Sequence, residues 1–226
     1  MANKDFSTFK SDLKFKLGNT DDLDDYLGSW INEAYTELVT KNRFWGIKRD
    51  IEFPQLFKTD NTLATTPGST YVTVPSDCLY IITMWDQTND KKLKWISWHD
   101  YIAKTGRATT ADREKPTKWT RFGSYIHLSP TPDAGYNLTA YYRYVPDEMS
   151  ATSDTTAIGR EWDYLIAKMA EEKGFSALEE PEKAELAGKQ ALKMLVDMVG
   201  MYDKEELDRT DIMAPNFAYL KGFDQT

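Results

Sequence analysis

The stretch Tyr125–Pro146, YIHLSPTPDAGYNLTAYYRYVP, decides the fold of this chain. Polar and apolar residues alternate on both sides of the sequence PDAG, a pattern that predicts two β-strands, each with one buried face. Proline, aspartate and glycine favour a turn between the strands. Pro146 cannot donate a hydrogen bond to a neighbouring strand, so it ends the second strand. The predicted buried positions are Ile126, Leu128, Leu138, Ala140, Tyr142 and Tyr144.

A hairpin is predicted immediately before that turn. The segment Lys118–Phe122 is joined to the strand at Tyr125 by Gly123-Ser124, and glycine first in a two-residue loop is typical of a type II′ turn. This register places Trp119 opposite Leu128 on one face. Aromatic residues and His127 occupy the other face, so neither face of the hairpin is expected to be fully exposed to water.

Further β segments are predicted on the N-terminal side of the hairpin. Tyr71–Val74 reads as a strand, and Leu93–Ile96 reads as another short one. The continuous apolar run Cys78–Trp85 predicts a central strand buried on both faces. Leu56–Ser69 is polar and contains Pro-Gly, which predicts a loop. His99–Lys104 is expected to form one or two helical turns.

Helical segments lie before and after this β region. Asp5 is a predicted N-cap for a helix over Phe6–Leu17, and Thr20 is a predicted N-cap for the next one. The second helix carries a wide apolar stripe at helical spacing, and the short link between the two helices favours a helical hairpin. Its apolar stripe comprises Leu23, Tyr26, Leu27, Trp30, Ile31, Ala34, Tyr35 and Leu38.

Two more helices are predicted near the C-terminal end. The third covers about Arg160 to Lys173, with Gly174 as its stop. The fourth begins at Pro181, a position where the missing N–H costs little. The apolar stripe of the fourth helix begins with small residues, which indicates a close contact between helices.

The predicted fold class is α+β, with an antiparallel β-module inserted between an N-terminal helical hairpin and long C-terminal helices. Residues 1–45 and 155–210 are predicted to form one discontinuous helical domain, and residues 46–150 a β-rich domain. Residues 211–226 are predicted to be an extended docking tail, which docks either on its own domain or on a partner. The tail is rich in aromatic residues, whereas free termini are usually polar. Its candidate partner-binding residues are Phe217, Tyr219, Leu220 and Phe223.

Composition limits the function classes. The 226 residues carry a net charge of −8, and hydrophobic residues make up 41% of the chain, which is typical of a folded protein. The acidic balance argues against a protein that coats duplex DNA, because such binders neutralise phosphates with lysine and arginine. The negative charge is explained in one of two ways: it forms a surface past which DNA slides, or it only keeps the protein soluble. The single cysteine, Cys78, excludes an internal disulfide, and no apolar run approaches the ~20 residues of a membrane span.

No catalytic or metal-binding pattern is found in the sequence, so no cofactor is expected. His99 next to Asp100 is the one candidate for a base with an orienting acid, but neighbouring residues do not face each other on a helix. His127 is expected to be structural, and Cys78 is expected to be an inert core thiol. Tryptophans on strands are typical either of a sheet core or of sugar stacking, which leaves a carbohydrate- or surface-binding β-module as the alternative function. The candidates are Trp85, Trp95, Trp98 and Trp119.

The order of several short motifs resembles the head-to-tail adaptor (connector) proteins of tailed bacteriophages, in particular the adaptor family of podovirus-like phages. The segment WINEAY starting at Trp30 is similar to the W-I-N-x-A-Y segment of that family. Val74-Pro75-Ser76-Asp77 resembles its proline-aspartate strand start. LSPTPD at Leu128, followed by LTAYY at Leu138, resembles the core of the family, and Trp162 with the following helix matches as well.

This resemblance implies a structural protein without catalytic activity. It implies a ring of identical subunits, in that family typically a dodecamer, that joins the portal to the tail and lets DNA pass through its lumen without specific binding. The implied partners are neighbouring copies of the chain, the portal protein and tail or nozzle proteins, with no membrane. The implied location is the neck of the virion, after synthesis in the host cytoplasm, and the tail at Phe217–Phe223 is expected to dock on the portal.

Overall fold

A computed structural model of the chain describes residues 3–41, 53–105 and 113–208. The chain divides into two compact units. The helical unit comprises Met1–Glu52 with Met149–Thr226, and the β-unit comprises Phe53–Glu148. Helices thus flank a β-sheet along the chain, and the α+β prediction is confirmed. The described helices are α1 (Phe6–Lys16), α2 (Asp24–Thr40), α3 (Trp98–Thr105), α4 (Asp163–Ala177) and α5 (Pro181–Asp208).

The start of α1 follows the predicted capping chemistry. The Asp5 carboxylate accepts a hydrogen bond from the Thr8 backbone N–H at 2.7 Å. The predicted cap at Thr20 is wrong: Asp21–Leu23 form a 3₁₀ turn, and Thr20 makes no side-chain capping bond there. The acidic residues at this helix start are held instead by Lys14, whose Nζ lies 2.7 Å from Asp21 and 2.8 Å from Asp24.

The predicted stop at Gly174 is also wrong. The helix α4 continues to Ala177, and Gly174 lies inside it. The glycine serves close packing: a Cβ added there would lie 2.7 Å from Cδ1 of Leu17. The prediction that Pro181 begins the last helix is confirmed.

The N-terminal segment is tied to the segment that precedes α4. The Phe6 N–H donates to the carbonyl of Asp154, and the Asn3 side chain donates to the carbonyls of Thr156 and Ile158. The buried carboxylate of Asp163 accepts from the Lys4 N–H at 2.8 Å and from the Thr156 hydroxyl at 3.0 Å. Burial raises the pKa of Asp163 above its ordinary value, although these two hydrogen bonds oppose that rise.

The β-unit contains one mixed sheet. Its strand order is β1-β7-β3-β4-β5-β6-β2, and all neighbouring strands pair antiparallel except β4 and β5, which pair parallel. The prediction of a purely antiparallel module is therefore corrected at that pair. The strands are β1 (Phe57–Ala64), β2 (Tyr71–Thr73), β3 (Cys78–Asp86), β4 (Lys91–Trp95), β5 (Lys118–Phe122), β6 (Tyr125–Ser129) and β7 (Asn137–Tyr144).

Two predictions in the β region are wrong. Leu56–Ser69 is not all loop, because β1 occupies most of it. As an edge strand with mostly exposed side chains, β1 lacks the apolar alternation that marks a strand. The run Cys78–Trp85 forms β3 as predicted, between β7 and β4, but it is not buried on both faces: Met84 is fully buried, whereas Ile82 and Trp85 are exposed.

The two strands of the opening stretch are not neighbours. Three strands lie between β6 and β7 in the sheet, and the two strands pack against one shared core. The hairpin register is confirmed, since Trp119 pairs with Leu128 and Arg121 pairs with Ile126. None of the described helices has the length and apolar character that crossing a lipid bilayer requires. The buried core consists of Val72, Val74, Cys78, Met84, Leu93, Trp119, Ile126, Leu128, Tyr136, Leu138, Ala140 and Tyr142.

Candidate interaction surfaces

The first candidate surface lies on the side of the β5–β6 hairpin that faces away from the core. Strand pairing places Phe122 beside Tyr125, Thr120 beside His127, and Tyr71 of β2 beside His127. Alternation along the strands therefore puts these residues on one face. The helix α3 adds Trp98 to the same side. We call the set Tyr71, Trp98, Phe122, Tyr125 and His127 the aromatic face.

The rings of the aromatic face stack on one another. Trp98 is stacked on Phe122, with ring centroids 4.2 Å apart, and on the buried Tyr101 at 5.3 Å. Tyr71 and Tyr125 meet edge to face at 4.7 Å. His127 lies among them, 4.9 Å from Trp98. Because the rings hold one another in place, they lose little conformational freedom when a partner covers them.

The aromatic face is apolar and partly exposed to solvent. Phe122 is 55% exposed, Tyr71 48% and Tyr125 45%. Burial lowers the pKa of His127, which favours its uncharged form. Exposed aromatic residues with little charge at their centre are typical of the core of a protein–protein interface. The aromatic face is therefore suited to contact another protein.

The second candidate surface belongs to the helical unit. Residues of α1, α4 and α5 line a groove of about 380 Å³, which we call the helical groove. Phe15 stands at its edge and is 74% exposed, the largest exposed fraction among the large apolar side chains that the structure describes. Tyr164 is 56% exposed. The lining residues are Lys4, Asp12, Leu13, Phe15, Lys16, Tyr164, Ala167, Lys168, Glu171 and Met194.

Charged side chains at the rim of the helical groove are mostly paired. Lys4 Nζ lies 2.7 Å from Asp12 and also 4.8 Å from the centroid of the Tyr164 ring. Lys168 pairs with Glu171 at 2.5 Å. The groove thus combines an apolar floor with lysines that can stand over aromatic rings, which favours an aromatic segment as its occupant.

Comparison with known proteins identifies the family. A family model described as SU10 adaptor protein matches residues 4–216, which is nearly the whole chain. The chain belongs to the SU10 adaptor protein family. The resemblance to phage head-to-tail adaptors is thereby confirmed. A search of curated proteins finds no match.

Membership in this family makes the chain a bacteriophage adaptor and a structural protein. An adaptor of this kind interacts with other head or tail proteins of the phage and is a component of the virion. The family is a structural one. Contact surfaces are therefore the relevant functional sites of this adaptor.

The structure separates the four candidate tryptophans of the adaptor. Trp119 is only 3% exposed, so it belongs to the core, and its assignment as a sugar-stacking residue is wrong. Trp98 is covered by stacking on two neighbouring rings. Trp85 and Trp95 are exposed, on β3 and β4.

The titratable candidates have structural roles in the adaptor. Asp100 accepts a hydrogen bond from the Ser97 hydroxyl, and its own N–H donates to that oxygen, so the pair caps the start of α3. Within residues 3–41, 53–105 and 113–208, no cluster of three potential metal ligands occurs.

Cys78 lies at the start of β3, beside a depression of about 510 Å³. Burial raises the pKa of its thiol, while the nearby Arg121 opposes that rise. The Arg121 guanidinium is engaged by backbone carbonyls, donating to Leu79 O at 2.7 Å and to Cys78 O at 3.3 Å. Both side chains therefore serve to hold the β-unit together.

The predicted docking tail with Phe217, Tyr219, Leu220 and Phe223 lies outside the described residues. Sequence reasoning missed Phe15 and Tyr164 of the helical groove. A signal for Phe15 does exist: it falls off the stripe Phe6, Phe9, Leu13 and Leu17, and so it is a large aromatic side chain on the polar side of α1.

Proposed function

We propose that the adaptor assembles into a dodecameric ring that joins the portal to the tail and lets DNA pass through its lumen. The observation that carries this proposal is the family match over residues 4–216. The match covers both units and reaches into the tail. The similarity to the family therefore extends over nearly the whole chain and is not limited to one shared motif.

The exposed surfaces support the proposal. A closed ring of identical subunits needs two different contact surfaces on each copy, because head-to-tail contacts are heterologous. The aromatic face of the β-unit and the helical groove of the helical unit are two such surfaces, and they differ in shape and charge. We assign one or both of them to contacts with ring neighbours or tail proteins.

The negative charge of the chain suits a lumen that conducts DNA. At a net charge of −8, an acidic surface repels phosphates and lets the duplex slide without binding. We further propose that the tail residues Phe217, Tyr219, Leu220 and Phe223 dock on the portal.

A pull-down with immobilised portal tests the proposal. The full chain is expected to be retained, and a chain that lacks residues 214–226 is expected to be lost from the beads. Retention of both chains with equal affinity would contradict the tail assignment. Absence of binding by the full chain would contradict the proposed function itself.

A further inference from the structure

We propose that, before assembly, the segment Phe217–Leu220 occupies the helical groove of its own chain. The inference builds on the proposed function, since the same tail is assigned to the portal. The groove contact itself can be measured without portal.

The aromatic side chains at the helical groove are unusually exposed. Phe15 and Tyr164 are large aromatic side chains, and both are more than half exposed at the edge of one concave surface. Contiguous exposed apolar surface in a soluble chain marks a place where something binds. A volume of about 380 Å³ lies in the range of about 300–1,000 Å³ that is typical of ligand clefts. Such a cleft has room for aromatic side chains.

The tail is long enough to reach the helical groove. Residues 178–180 form a short link between α4 and α5, so the two helices run antiparallel. Tyr164 near the start of α4 and Met194 in α5 line the same groove. From Met194, α5 continues to Asp208, a span of about 21 Å at about 1.5 Å per residue.

An extended chain covers about 3.3 Å per residue, so about six or seven residues after Asp208 suffice to return to the level of Met194. That point is at Ala214 or Pro215, and Phe217, Ala218, Tyr219 and Leu220 follow within a few residues. The most aromatic part of the tail therefore reaches the groove without any stretching of the chain.

The lining of the helical groove suits an aromatic segment. The groove offers the apolar side chains of Leu13, Ala167 and Met194, and Lys4 already stands over two aromatic rings. Rings that enter the groove would bury their apolar surface and lie close to the rim lysines. Bound in this way, the tail is sheltered from premature contacts, and binding to the portal has to displace it from the groove.

Disulfide trapping in the full-length chain tests the contact. All variants carry Cys78→Ala, so that the engineered pair contains the only thiols. One variant combines Lys16→Cys at the groove rim with Ala218→Cys in the tail. The matched control combines Glu182→Cys, in the first turn of α5, with Ala218→Cys. At low micromolar concentration, the rim pair is expected to close within one chain, and the control pair is expected to stay open.

Substitutions in the groove supply the second control. Phe15→Glu places a charge where apolar contact is required. It is therefore expected to reduce disulfide trapping of the rim pair about tenfold. The protection of the amides of residues 217–220 against hydrogen exchange is expected to fall by the same factor. Leu186→Glu changes an exposed apolar residue of α5 outside the groove and is expected to change neither readout. Equal trapping of rim and control pairs, or tail amides that exchange without protection, would overturn the proposal.

Two remaining outcomes are informative. A disulfide-linked dimer in place of a closed monomer would show that the tail of a second copy fills the groove, which contradicts the own-chain contact. In a portal pull-down, the chain in which the rim disulfide has formed (the closed chain) is expected not to bind portal. Reduction of the disulfide is expected to restore binding. If the closed chain binds portal equally well, the portal assignment of the tail fails while the groove contact stands.

Discussion

Gly174 in α4 lies directly against Leu17 at the end of α1, where a Cβ added to the glycine would come 2.7 Å from Leu17 Cδ1. Real Cβ atoms essentially never lie that close to another atom, so a side chain at this position would force the buried Leu17 side chain to shift. The first prediction follows from this contact. Gly174→Ala is expected to lower the free energy of unfolding by up to about 2 kcal/mol, because overpacking costs about 1–3 kcal/mol and the gain in helix propensity is about 1 kcal/mol.

Gly188 in α5 provides the matched control for Gly174. The atoms nearest to a Cβ there belong to the carboxyl end of Glu172, which can swing aside. Gly188→Ala is therefore expected to raise the free energy of unfolding by about 0.5–1 kcal/mol in urea titrations. If Gly174→Ala were the more stable of the two variants, the close contact of α1 with α4 would be refuted.

The second prediction separates the tryptophans of the β-unit. Trp119 is in the core, and Trp119→Ala is expected to cost about 3–5 kcal/mol of unfolding free energy. Trp95 is 59% exposed, and Trp95→Ala is expected to change stability by no more than about 0.5 kcal/mol. Thermal or chemical unfolding measures both. Equal effects of the two substitutions would contradict the packing of the β5–β6 hairpin.

The third prediction concerns pH. Burial raises the pKa of Asp163, so the folded chain holds this proton to higher pH than the unfolded chain does. The contribution of this group to stability is therefore fully present below about pH 3.8 and declines as the pH rises through the folded pKa. Relative to wild type, the stability of Asp163→Asn is expected to increase from about pH 3 to about pH 7, as measured by urea unfolding at each pH.

Asp154 supplies a control of opposite sign. Backbone N–H groups of Ser150 and Ala151 donate to its carboxylate and lower its pKa below 3.8. Its contribution is present above pH 3.8 and is lost as the pH falls through the folded pKa. Asp154→Asn is therefore expected to lose stability relative to wild type as the pH rises. Parallel pH profiles for the two variants would contradict the burial of Asp163.

The fourth prediction tests the aromatic face as a contact surface. Phe122→Ser removes an exposed ring that stacks on Trp98, and it is expected to lower stability by no more than about 1 kcal/mol. Because aromatic side chains carry much of the energy of interfaces, it is also expected to weaken assembly with phage partners by about tenfold or more. Ile82→Ser, an exposed apolar residue on β3 outside the aromatic face, is the matched control. Identical assembly of the two variants in sedimentation assays would exclude the aromatic face.

Much of the fold was predictable because short-range patterns encode it. The hairpin at Gly123 and the helix start at Asp5 depend on neighbours within a few residues, so their residue types are diagnostic. The edge strand β1 was missed because exposed side chains leave no period of two. Gly174 was misread because its role depends on Leu17, which is distant in sequence and adjacent only in the folded chain.

The candidate surfaces were predictable only in part. The alternation around His127 revealed that aromatic residues share the outer face of the hairpin, but not that α3 supplies Trp98 to them. The groove at Phe15 depends on how α1, α4 and α5 pack, which no local pattern encodes. The parallel pairing of β4 with β5 was likewise invisible, because it depends on how the long connection through α3 returns the chain to the start of β5.

Electron microscopy of the full chain mixed with purified portal tests the central claim most directly. The account predicts a ring of additional density on one face of the portal, with twelvefold symmetry and a continuous central channel. A chain that binds as isolated copies without a ring, or that leaves the portal bare at saturating concentration, would contradict the proposed role as the connector between head and tail.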